Sequence, residues 1–438
     1  SGHPVRSCLV RDTVSRALLA EVSGSSALAD ASWSLLGCGS VGSKVALHLA
    51  REGRGPSILI DRGFLLPHNY GRHALPPSPG DLEPRSKAEA LQQAVSALGQ
   101  PATAFQGDVV TTVAIDPAVL SACWPAGTSF IVDATGSPSV TDALCLTSVA
   151  SSRPRIVETS LYGSGTVGYV AIEGPEANPS AQDLLAEGYR RMAEDAVLSE
   201  VALAASGDVI AVGQGCSTRT ARMTDAKLSA FSPAMARRIS KALELGLPAL
   251  GGELAIGVVD EDLAGQSWRR AAVPPFFKLA AMGDAARASV SSRVLDRIDG
   301  EIAVRPGVEV GGILMGRFND ATSSFHAVDV LDPPPDSRFT AAEFTLGVEG
   351  LRGRIDEYVA RCHGALYPIG TWHNHLADTA ASATDLATGV ALALGQCFPV
   401  VLLIRTPARL RGLVAEACRG ITAERPSVTV TLLEEAST

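Results

Sequence analysis

Apolar runs bounded by turn residues recur through the first 170 positions: SWSLLG from Ser32, PSILID from Pro56, SFIVDATG from Ser129, PRIVETS from Pro154 and TVGYVAI from Thr166. Runs of this length predict buried strands, and the helix-compatible stretches Lys44–Glu52 and Lys87–Leu98 between them give the alternation of a doubly wound, mostly parallel sheet. From Gly174 to Gly213 a Pro- and Ala-rich segment has an acidic, helix-compatible middle, and SPAMARRISKALEL then predicts an amphipathic helix. The pattern breaks at Ser267–Phe277, where SWRRAAVPPFF is mixed and interrupted by proline. Beyond it, helical spacing through Val294–Ile298 leads to a strand VEVGGILMG, a helix at Glu349–His363, a strand YPIGTWHNH, a helix beginning near Ser382, and the strands FPVVLLIR and SVTVTLLE. The expected architecture is α/β throughout, with one domain over 1–265, a linker over 266–285 and a smaller α/β domain over 286–438.

Composition supports two globular units. The chain has 438 residues, 46% apolar and 19% charged, which suits two cores better than one. A net charge of -9, with no dense Lys/Arg run, argues against nucleic acid as a partner. No stretch approaches the ~18 apolar residues of a membrane span, and no leader pattern opens the chain, so no membrane partner and a cytoplasmic location are expected. The eight cysteines are scattered singly, without a C-x-x-C pair, which excludes a disulfide framework and a thiolate zinc site. Ser1-Gly2-His3 resembles a tag remnant, leaving an earlier natural start open.

Gly37-Cys38-Gly39-Ser40-Val41-Gly42 follows an apolar strand and opens a helix, so Gly37, Gly39 and Gly42 suit a tight turn that brings backbone N–H groups to a phosphate. Asp61 ends the next strand, where a carboxylate accepts from a ribose. This pair fits NAD or ATP equally, or a generic packing turn. Asn69, Arg72 and Lys87 narrow the choice, because fixed cations beside a nucleotide suit charge moving between phosphates rather than hydride transfer. Here the chain resembles the ThiF family of ubiquitin-like-protein activators and bacterial sulfur-carrier adenylyltransferases, over roughly 10–260. The resemblance implies ATP and magnesium, with Asp61 as ribose ligand, Asn69, Arg72 and Lys87 contacting phosphates, and Asp133 of IVDATGS near the metal. It also implies a homodimer, in which Arg11 or Arg16 reaches the partner's nucleotide. The chain departs from the family at Gly136-Ser137, where Asp-Asn is frequent.

Cys216 lies in VGQGCSTRTARM with Arg219 and Arg222 downstream. Nearby positive charge favours a thiolate and the glycines admit an acyl chain, although a lone cysteine is commonly an inert core residue. GQGCST resembles the catalytic cysteine segment of thioester-forming activators.

His373 and His375, two apart at the end of an apolar strand, share a face. Asp385, ten residues on at a helix start, offers a third ligand, and two nitrogens with one oxygen leave tetrahedral zinc open to water. Glu309, expected on the strand face of Gly311 and Ile313, is the candidate base, and Ser382 the candidate oxyanion donor. Ser382-x-x-Asp385 also reads as a capping box without metal. Together these residues resemble the JAMM motif of the JAB/MPN metalloproteases, whose domain is cytidine-deaminase-like. Leu376 stands where that family has Pro, and the His-to-Asp interval is one residue short. His68, His73, His326 and His363 are expected at the surface or in loops.

The combined resemblance implies a bifunctional enzyme of a bacterial ubiquitin-like conjugation system of the kind linked with phage defence. It would adenylate a ubiquitin-like carboxyl terminus, pass it to Cys216 with a conjugating-type enzyme as partner, and cleave at that tail with zinc. A sulfur-carrier activator with a trimming peptidase, and a non-catalytic scaffold, remain alternatives.

Overall fold

A computed structural model describes residues 13–25, 31–77, 83–115, 117–204, 209–211, 219–260, 265–396, 398–418 and 427–436. The strands β1 (Ser32–Leu36), β2 (Ile58–Asp61), β3 (Thr103–Gln106), β4 (Thr128–Asp133), β5 (Ile156–Tyr162), β6 (Val167–Ile172), β7 (Gly252–Val259) and β8 (Gln266–Val273) form one sheet, ordered β8-β7-β6-β5-β4-β1-β2-β3. β3, β2, β1, β4 and β5 run parallel; β6, β7 and β8 continue antiparallel. The chain leaves β1 towards β2 and returns on its other side at β4, so a crevice opens between their carboxyl ends. Helix α1 (Ser40–Arg51) buries Val45, Ala46, Leu49 and Ala50 on one face, in a core shared with Phe231, Met235 and Ile239 of α4 (Asp225–Leu245). Between them in sequence lie α2 (Lys87–Ala97) and α3 (Ala181–Ala193).

The stretch 266–285, expected as a linker, is built into both sheets. β8 pairs with β7 from Gly252↔Val273 to Val259↔Gln266, and β9 (Phe277–Ala280) starts the second sheet only four residues later. It continues with β10 (Arg287–Val290), β11 (Gly311–Asn319), β12 (Ser324–Leu331), β13 (Tyr367–Asn374), β14 (Val400–Arg405), β15 (Leu410–Cys418) and β16 (Ser427–Glu435). This sheet closes into a barrel, β9-β10-β12-β11-β13-β14-β15-β16, through Leu279↔Glu435 and Ala280↔Glu434. A smaller α/β, cytidine-deaminase-like domain was expected here; its sheet closes because β9 pairs on both sides, removing the free edges. Helices α5 (Ser292–Val304), α6 (Leu351–Arg361) and α7 (Ala383–Gly395) accompany the barrel.

One apolar cluster runs from Tyr169, Leu184 and Met192 into Ile313, Met315, Tyr358 and Cys362, joining the two sheets. Asp183, fully buried on α3, reinforces it: Lys278 Nζ lies at 2.5 Å and His326 Nδ1 at 2.7 Å. His326, expected at the surface, is thus part of the junction and 4% exposed. His73 is likewise buried, with Nε2 2.8 Å from Cys38 O.

Candidate functional site

The sharpest geometry lies at the end of β13. His373 is in register with Gly311 of β11 and Ile404 of β14. Its neighbour Asn374 turns inward, its Oδ1 accepting from the Val310 N–H at 2.6 Å and its N–H donating to Val310 O at 3.0 Å, while the His375 N–H donates to Arg405 O at 2.9 Å. Backbone on both flanks of the histidines is therefore fixed. Gly311 is required for close approach: an added Cβ would stand 2.4 Å from Trp372 O and 2.5 Å from the Phe344 ring.

Asp385 is delivered by the first turn of α7. Its amide donates to Ser382 Oγ at 3.2 Å and its carboxylate accepts from the Ser382 N–H at 2.6 Å, a complete capping box. The same carboxylate reaches both imidazoles, with Oδ1 3.1 Å from His373 Nε2 and Oδ2 3.3 Å from His375 Nε2, and the two Nε2 atoms are 3.0 Å apart. Cap and cluster coexist. These spacings suit a tetrahedral ion, since bonds of about 2.0 Å separate neighbouring donors by about 3.3 Å. Among the described residues this is the one group of three such donors within 4.8 Å of one another. Burial opposes ionisation of Asp385, but hydrogen bonds from His373 and the Ser382 backbone hold it well below the usual carboxylate range.

Glu309 lies two residues before β11, not on its face as expected, and its N–H donates to Thr340 O at 2.7 Å. It lines a cleft of about 720 Å³ together with Phe344, Trp372, His373, His375, Ser382 and Asp385. Burial pushes the Glu309 carboxyl up, while His375 and His373 pull it down. Two supports were missed by sequence reasoning. Asn374 had a signal, its place between the histidines on the opposite face. Thr379, whose Oγ1 is 2.8 Å from His375 Nδ1 and so leaves Nε2 for the shared point, had none.

At the β1/β4 reversal, Gly37 has φ +89° and an added Cβ would meet Thr135 N at 2.8 Å; on Gly42 it would meet Gly37 O at 1.9 Å. Gly39 faces open space, and no side chain caps the amino end of α1, which leaves a site suited to anions. Asp61 accepts from the Cys38 and Gly63 N–H groups, each at 2.7 Å. Lys87 approaches it over Gly63, where an added Cβ would stand 3.1 Å from Asp61 Oδ1 and 3.2 Å from Lys87 Nζ. Asn69 Oδ1 accepts from the Leu66 N–H at 2.9 Å, holding the turn that precedes Arg72.

A crevice of about 350 Å³ brings Gly39, Arg72 and Asp133 together with Thr135 and Glu158; Asp61, Asn69 and Lys87 are not among its lining. Burial raises the Asp133 carboxyl, partly offset by Thr135, whose N–H and Oγ1 donate at 2.9 and 2.7 Å. Burial, with Asp133 beside it, pushes Glu158 to about 8. Glu158 was also missed, though a carboxylate inside the apolar run IVETS was its signal. Cys216 and Arg11 lie outside the described residues.

No family model matches the chain. It is 31% identical over 120 residues to a CD-NTase/cGAS isopeptidase of Enterobacter hormaechei subsp. hoffmannii (strain UCI 50), an overlap of 26% of this chain and 64% of that protein. The match thus spans less than two thirds of the curated relative. Among solved structures, E. coli MccB with AMPCPP and MccA aligns over 59% of this chain and 67% of its own, at 13% identity and TM-score 0.38. PaaA aligns over 56% and 64%, at 16% identity and TM-score 0.35. Overlays this loose bear no weight on mechanism. Among the described residues no helix is long and apolar enough to cross a membrane.

Proposed function

We propose a bifunctional enzyme whose barrel hydrolyses a peptide or isopeptide bond with zinc and whose parallel sheet adenylates a ubiquitin-like carboxyl terminus with ATP. The convergence of His373, His375 and Asp385 carries the hydrolase reading, and the isopeptidase name of the E. hormaechei relative agrees with it. Two imidazole nitrogens and a carboxylate oxygen fit zinc, which when bound supplies a Lewis acid that activates water near neutral pH. Glu309, raised by burial, lines the same cleft and would serve as the base that takes a proton from the attacking water and returns it to the departing amine. Ser382 keeps its N–H and Oγ on Asp385, so its main contribution is to aim that carboxylate, with donation to an oxyanion secondary.

The adenylation reading rests on the uncapped start of α1 beside Arg72 and Asp133. Asp61 and Lys87 would act from outside the crevice as it stands. Cys216 as thioester acceptor, a conjugating-type partner, the homodimer and the cytoplasmic location rest on sequence resemblance. One experiment separates the parts. Purified protein is assayed for zinc, then incubated with a ubiquitin-like precursor, with and without ATP, and run on gels with and without thiol. The expected outcome is about one zinc per chain, cleavage lost in Glu309→Gln with zinc retained, and a thiol-sensitive adduct lost in Cys216→Ala. Protein that neither holds zinc nor cleaves after zinc is added would overturn the hydrolase; absence of AMP and of any adduct would overturn the adenylation.

A further inference from the structure

Asp133, the last residue of β4, is in register with Glu158 of β5. Residues paired on adjacent strands project to the same face. Both side chains are buried, with Asp133 2% and Glu158 8% exposed, and both line the crevice beside Gly39 and Ser40. Among the described residues the two carboxylates take hydrogen bonds only from Thr135 and Ser160, and neither joins an ion pair. Glu158 Oε2 is buried without any partner. A buried, unpartnered carboxylate oxygen facing a second carboxylate is costly, and a cation would relieve both penalties at once. Oxygen donors of this kind select hard ions of the magnesium class. Gly136, where the resemblance expects an acidic residue, contributes no side chain and faces open space.

We infer that Glu158 and Asp133 together hold a divalent cation of the Mg²⁺/Mn²⁺ class, Glu158 supplying the carboxylate that Gly136 lacks, so that the cation meets the phosphates of a nucleotide seated at the start of α1. The inference rests on the nucleotide reading of this crevice. Because Glu158 comes from β5 and not from β4, the strand that leads into the glycine-interrupted loop, the departure at Gly136-Ser137 relocates one ligand rather than removing the metal.

The test uses the full chain and reads binding, not turnover. Free Mn²⁺ is followed by electron paramagnetic resonance during titration with and without AMPCPP, and AMPCPP binding is measured separately in EDTA. The zinc cleft is first saturated with Zn²⁺. One Mn²⁺ per chain is expected, with affinity reduced at least tenfold in Glu158→Gln and in Asp133→Asn. The melting temperature of Glu158→Gln in EDTA should not fall below that of the parent, which excludes a folding defect. Mn²⁺ held as tightly by Glu158→Gln as by the parent overturns the inference and leaves the nucleotide site standing. Glu158-dependent Mn²⁺ binding without any AMPCPP binding supports the cation site and overturns the nucleotide reading. Binding of neither overturns both.

Discussion

Replacing Asp183 by Asn tests whether the two sheets are held as one body. The carboxylate is fully buried, 2.5 Å from Lys278 Nζ and 2.7 Å from His326 Nδ1, and it also closes the capping box on Ser180. Burial alone would raise its pKa, yet Lys278 and His326 hold it far below the ordinary 3.8. Removing one partner from a buried charge cluster costs about 3–5 kcal/mol. The Lys278 side chain is 32% exposed and can recover some hydration, so a loss near the lower end, about 3 kcal/mol, is expected for Asp183→Asn. The sign follows from linkage. A carboxyl depressed in the native state contributes its full stability above the unfolded value of 3.8, and that contribution fades as pH falls through the native value. The penalty should therefore be complete at pH 7 and shrink below pH 3.8. Urea unfolding followed by tryptophan fluorescence measures it, with Trp33 in the first sheet and Trp372 in the barrel. A cost below about 1 kcal/mol at pH 7, in the range of a surface pair, would refute the argument.

Three further outcomes are expected. Thr379→Val should weaken zinc binding about tenfold in a chelator competition while Thr379→Ser retains it, because the hydroxyl on His375 Nδ1 sets which nitrogen faces the ion. Glu309→Gln should lower the rate of tail cleavage by about 10²–10⁴ with zinc content unchanged, measured by single-turnover cleavage and metal analysis. In EDTA, Glu158→Gln should flatten the fall of stability between pH 4.5 and about 8, since a native carboxyl raised to about 8 favours the folded state only while protonated; parallel thermal-melt profiles for parent and variant would contradict this.

The central strands were legible because β1, β2 and β4 are buried on both faces and write themselves as unbroken apolar runs. β8 was not. Its residues Ser267, Arg269 and Arg270 are exposed along an edge, with Trp268 alone among them turned onto Phe231 of the core, so the strand leaves little apolar pattern in its side chains. β9 and β10 span four residues each, too short for period-two alternation to register, so barrel closure was invisible. The cluster of candidate metal donors was readable because all three arise from one strand end and the next helix start, within thirteen residues of chain from His373 to Asp385. Glu309 was expected on the strand face and instead lies two residues before the strand, since its position depends on the Thr340 backbone, a contact the local sequence does not encode. Glu158 acquires its meaning from Asp133 across the sheet, 25 positions away.

The way β8 is spent matters beyond the fold. A cut after residue 265, where composition changes, would carry β8 away with the barrel and strip the neighbour of Gly252–Val259, a strand buried along nearly its whole length. The severed half would present a bare apolar edge, the kind that recruits other chains. The two clefts are thus inseparable in dosage: they are made in equal number, arrive at the same place and are degraded together. On the proposed function, expression alone cannot raise one activity without the other.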